Sequence, residues 1–164
     1  MSAESTVLPL KQSSDYRAIV WGGLVAGAMD ITAAFINSAI YGRSPLWVLQ
    51  SVASGALGPS SYKAGVGSAI LGLLIHFFIA FVWCSVYFIA SRGLSFLRTQ
   101  PIIFGLIYGV MVYLFMYGLV LRLTFHRNFL TPASGVIVAV LTHMFCVGLP
   151  IALAVWRFSK SSHS

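Results

Sequence analysis

The chain has 164 residues, 59% of them hydrophobic and only 8% charged, where soluble domains carry about a quarter of their residues as Asp, Glu, Lys or Arg. Such a composition excludes a water-soluble globular domain and points to a protein embedded in lipid. The formal net charge is +7, yet the Lys and Arg residues stand singly at the edges of apolar runs. No basic face tracks phosphates, so nucleic-acid binding is excluded and contact with anionic lipid headgroups fits better.

Residues 1–16 are polar and Ser-rich, with Glu4, Lys11 and Asp15, and are expected to be a mobile cytoplasmic tail because they bury too little apolar area. The apolar run at 18–41 outlasts the roughly 7–15 residues of a signal-peptide core and reads as a first membrane span. After it, Ser44 offers an N-cap, Pro45 a first helical position, and Gly58 with Pro59 a stop, which predicts a short helix over 45–57. A helix of that length reaches about 20 Å and cannot cross. Leu46, Leu49, Ala53, Ala56 and Leu57 share one face, with Gln50, Ser51 and Ser54 opposite. The helix is therefore expected either in the outer interface or dipping in as a re-entrant segment.

Further spans are predicted at 64–91, 101–121 and 131–156, each with the roughly 20 residues that a crossing requires, followed by a tail at 158–164. The predicted fold class is all-α: a polytopic four-helix transmembrane bundle over 17–157. Lys11, Arg17, Arg92, Arg98, Arg157 and Lys160 fall on one side of it, and Arg43, Lys63, Arg122 and Arg127 on the other, which favours cytoplasmic termini. Cys84 and Cys146 lie inside apolar runs without C-x-x-C spacing and read as small buried hydrophobes. Trp21, Trp47, Trp83 and Trp156 read as interfacial anchors. His126 and His163 are expected in a loop and a tail, and Asn37 in a helix-to-helix hydrogen bond.

The spans resemble one another in pairs. Gly72, His76 and Phe78 of the second match Ala139, His143 and Phe145 of the fourth; Gly23, Gly27 and Met29 of the first match Gly105, Gly109 and Met111 of the third. This predicts a tandem 2+2 repeat of a helix hairpin about an axis along the membrane normal. Small residues four apart also let helix backbones approach closely in lipid. The stripes formed by Gly23, Gly27, Gly72, Gly105, Gly109 and Ala139 lead, in steps of three or four, to Asp30, His76, Tyr113 and His143, so these polar groups should face protein. By helical rise, Asp30 lies roughly 20 Å from Arg17, His76 roughly 24 Å from Arg92, Tyr113 roughly 22 Å from Arg98 and His143 roughly 21 Å from Arg157. One acid, one phenol and two imidazoles therefore form a single layer inside the membrane.

An ionisable group at that depth is costly and calls for a role. An acid beside an imidazole suits a proton relay, which points to proton-coupled, ion or small-solute transport, with Pro150 as a hinge and a homodimer to complete a pathway. As an alternative, the layer fixes helix register in a non-catalytic accessory or scaffolding protein. In a third reading His76 and His143 ligate haem iron, or Asp30, His76 and His143 hold a divalent metal. No C-x-x-C-H is present and no cofactor is expected. No catalytic residue is assigned, and an enzyme is not expected.

Gly23-x-x-x-Gly27-x-x-Asp30, Ser44-Pro45-x-x-x-Leu49-Gln50-Ser51-x-Ala53-Ser54-Gly55, His76-Phe77, and His143-Met144-Phe145 with Val147-Gly148-Leu149-Pro150-Ile151 together give the chain its resemblance to a known family. Over most of 22–154 it resembles a family of small, uncharacterised bacterial four-span inner-membrane proteins. The resemblance implies a bacterial inner-membrane setting and carries no activity to transfer. The chain is more remotely similar to acid-resistance-associated inner-membrane proteins, which adds weight to the proton reading.

Overall fold

In a computed structural model of the protein the described residues are 12–120 and 133–160, and no strand occurs among them. His126, His163, Arg122 and Arg127 lie outside them. Helix α1 spans Gln12–Ile40, α2 Pro45–Leu57 and α3 Gly65–Gly93; a 3-10 turn, Gly58–Lys63, joins the last two. After the short α4 at Phe96–Thr99, α5 covers Pro101–Phe115 and continues as a π-helical turn, Met116–Val120. The fourth span is α6, Ala133–Thr142, a second π turn, His143–Gly148, and α7, Leu149–Lys160.

Four of these segments are long and apolar enough to cross a membrane: Tyr16–Ile40, Gly65–Gly93, Pro101–Val120 and Gly135–Ser159. The protein is thus a multi-pass, all-α membrane bundle. Its alternating spans place Gln12, Gly93, Pro101 and Lys160 at one face, here the termini face, and Ile40, Gly65, Val120 and Ala133 at the other, the loop face. α1 begins at Gln12, inside the segment expected as a tail, because extending a formed helix gains one hydrogen bond for each residue fixed.

α1 packs against α3 on one side and α7 on the other, while α5 packs on α7 and on the π turn of the fourth span. Tight contacts come from residues without side chains. A Cβ on Gly109 would stand 2.5 Å from the Met144 Cα, and one on Gly148 would stand 2.7 Å from the Gly109 Cα, so the third and fourth spans touch backbone to backbone. A Cβ on Gly105 would meet that of Ala152 at 2.8 Å. Gly23 and Gly27 of α1 receive the rings of Phe81 and Phe77.

α3 and α5 stand further apart and meet through aromatic side chains. The Tyr108 hydroxyl donates to the Trp83 carbonyl at 2.6 Å, and the Trp83 ring is edge-on to those of Tyr108 and Phe115. Trp83, expected as an interfacial anchor, is therefore a bridge between two spans. Asn37, by contrast, is exposed.

α2 is held against the loop-face half of α3. A Cβ on Gly72 would collide with the Leu49 carbonyl and stand 3.2 Å from the Ala53 nitrogen, so α2 crosses α3 at this glycine. Gln50 donates from Nε2 to the Gly65 carbonyl at 3.0 Å, and Ser68 from its hydroxyl to the Ser61 carbonyl at 2.6 Å. The inward face is Val48, Gln50, Ala53 and Ser54, while Leu46 and Leu57 are each 42% exposed. The polar residues of α2 thus turn toward protein carbonyls, and part of its apolar face turns outward. Arg43 stacks on Trp47 at 3.8 Å, and Trp47 stacks on Tyr62, which closes the start of α2 onto the 3-10 turn.

Gly109→Val places a branched side chain against the His143 and Met144 backbone, which cannot yield as a side chain would; a loss of about 1–3 kcal/mol is expected. Gly118→Ala, where a Cβ meets open space, should leave stability unchanged or raised. Thermal melting of both variants in detergent checks the pair, and equal melting temperatures would contradict the packing.

Candidate functional site

Asp30, His76 and Tyr113 lie on α1, α3 and α5, and His143 opens the π turn of the fourth span. The turn has a local cause. Pro150 lacks an N–H and its ring crowds the Cys146 carbonyl four residues earlier, which disfavours a regular α-turn there. The backbone widens instead, and the Leu149 N–H bonds to the Met144 carbonyl, five residues back. Span four thereby carries extra backbone where α5 presses Gly109 against it.

Tyr113 and His143 meet directly. Their rings are edge to face with centroids 5.6 Å apart, and Tyr117, one turn beyond Tyr113, is edge-on to His143 at 5.8 Å. The two tyrosine rings stack at 4.6 Å. His143 also places Nδ1 2.8 Å from the Ala139 carbonyl. A carbonyl only accepts, so Nδ1 carries the hydrogen, and in the neutral ring Nε2 is left as a bare acceptor.

His76 is engaged differently. Its Nε2 lies 2.9 Å from the Gly27 carbonyl of α1, so Nε2 is the protonated nitrogen, and the imidazole ties α3 to α1 one turn from Asp30. Asp30 is half-buried and lies within electrostatic reach of Tyr117 and Cys146. Among the described residues its carboxylate has no hydrogen-bond or ion-pair partner. The structure therefore brings Tyr113 to His143, sets Asp30 near the same group, and engages His76 with backbone rather than acid.

Tyr117, which the sequence does not single out, belongs to this cluster, as does Cys146, expected as a buried hydrophobe but only half-buried. The spacing contains the clue, since Tyr117 is four residues after Tyr113 and Cys146 three after His143, each on the same helical face as its partner. Among the described residues no three of His, Cys, Asp and Glu converge closely enough to hold a metal ion, Asp30, His76 and His143 included. Compared with known families, with curated proteins and with solved structures, the chain finds no match in any of the three.

The two imidazoles are expected to hold opposite neutral tautomers, hydrogen on Nδ1 in His143 and on Nε2 in His76. Nitrogen-15 spectra of histidine-labelled protein, assigned with His76→Phe and His143→Phe, read this directly. Matching tautomers at both rings would contradict the geometry.

Proposed function

We propose that this membrane protein takes up and releases protons at the Asp30–His143 site in the course of proton-coupled ion or small-solute transport. The observation that carries the reading is Asp30: a half-buried carboxylate on a membrane span with no hydrogen-bond or ion-pair partner among the described residues. Such a group is costly in apolar surroundings unless it binds a proton, a cation or water. Support comes from the neighbours. His143 presents an unprotonated Nε2 in its neutral form, and the phenols of Tyr113 and Tyr117 both donate and accept, as a relay needs.

In this proposal the setting is a bacterial inner membrane with both termini cytoplasmic. Four helices enclose little volume, so a homodimer is the unit proposed to complete a pathway. A second reading has an observation of its own: His76 is already satisfied by the Gly27 carbonyl, as a purely structural tie would be. On that reading the polar layer sets helix register in an accessory or scaffolding protein.

Purified protein in vesicles loaded with a pH-sensitive dye separates the two. The transport reading expects proton flux that Asp30→Asn abolishes, while His76→Ala keeps flux and loses about 0.6 kcal/mol of stability, the average for interhelical hydrogen bonds in one membrane protein, and at most about 2. Absence of flux in the unaltered protein, with both variants changing only the melting temperature, would establish the scaffold.

A further inference from the structure

Packing is uneven along the membrane normal. The buried apolar cluster, including Ala26, Cys84, Tyr108, Val112, Ile151 and Val155, fills the bundle from its middle to the termini face. Cys84, Ile151 and Val155 have no exposed surface at all. On the loop-face side of Asp30 and His143 no comparable cluster joins the first, third and fourth spans among the described residues. Among the described residues α1 packs extensively along α7 and the π turn, but not extensively against α6. Among the described residues, the buried packing shared by the first, third and fourth spans thus lies at and below the π turn.

The polar residues sit at the loop-face edge of this packing. By helical rise, Asp30 is roughly 15 Å from the loop-face end of α1 but roughly 27 Å from its other end, and His143 is similarly placed on the fourth span. The main contact between α1 and the fourth span is carried by α7 and by the His143–Gly148 turn.

We infer that the Asp30–Tyr117–His143–Cys146 site exchanges with water from the loop face alone, and that the Cys84–Tyr108–Ile151 layer seals it from the termini face. This deepens the proton reading by naming the side from which the site is loaded, and it rests on that reading for its purpose, though not for its test. A continuous pore is incompatible with such a seal. Passage to the other face requires the lower half of α1 to separate from α7.

The two native cysteines report on the two layers. Cys146 is half-buried beside Asp30, and Cys84 is fully buried, its thiol directed at the Ala18 carbonyl at 3.7 Å. Sealed vesicles of both orientations are treated with a charged, membrane-impermeant maleimide. In a Cys84→Ala, Cys146→Ala background, Ser60→Cys and Ser95→Cys mark the loop and termini faces, since both serines are exposed there. With Cys84→Ala, Cys146 should react at least about tenfold faster when the face marked by Ser60→Cys is outward, because labelling follows thiol access. With Cys146→Ala, Cys84 should react from neither face.

Equal rates at Cys146 from both faces, faster reaction from the termini face, or reaction only after denaturation would each overturn the inference. The proton reading fails separately. If Asp30→Asn leaves flux unchanged while labelling stays one-sided, the access route stands without the proton. If flux depends on Asp30 and labelling is two-sided, the reverse holds.

Discussion

In lipid no hydrophobic force draws two apolar helices together, so a membrane bundle depends on how closely its backbones can pack. Here that constraint is met where α2 crosses α3 at Gly72 and, between two spans, where Gly105 and Gly109 of the third meet the π turn and Gly148 of the fourth. At Gly109 and Gly148 no side chain intervenes, and at Gly105 only the Ala152 methyl does. The contact sets the height at which the two spans are pinned, and with it the height of Tyr113 and His143, which stand immediately toward the loop face. Pro150 matters for the same reason, since the widened turn it induces is the surface that Gly109 presses against.

Polar interactions in this protein run mainly from side chains to helix carbonyls. His76 donates to Gly27, Tyr108 to Trp83, Gln50 to Gly65 and Ser68 to Ser61. Each satisfies a donor that lipid would leave unpaired, and each joins two elements. Asp30 is a different case, because a carboxylate cannot donate to a carbonyl when ionised. Among the described residues its carboxylate finds no donor, which is why function is sought there rather than at His76.

The asymmetry between the two halves of the membrane follows from residue size and shape. Toward the termini face, small residues of α1 let α3 and α7 close in, and Tyr87, Tyr108 and Ile151 fill the space between. Toward the loop face, α2 covers α3, while α5 and α6 keep bulky aliphatic residues outward. One half is a packed core, and among the described residues the other has no comparable one.

The four spans and the short helix at 45–57 were legible in the sequence, because apolar length and capping residues are local quantities. The close-packing roles of Gly105, Gly109 and Gly72 were legible too, from their spacing. The tertiary structure alone decided which polar groups meet. Helical periodicity assigns a residue to a face without naming the neighbour on that face, and rise along an axis measures height without distance across the bundle. So His76 found a carbonyl in place of an acid, Trp83 found Tyr108 in place of the interface, and α2 turned Gln50 inward because Gly65 and Gly72 lay within reach. The π turn lay between these cases: Pro150 announced a disturbance in the sequence, but that the widened backbone would meet Gly109 was decided by a contact between segments far apart in the chain.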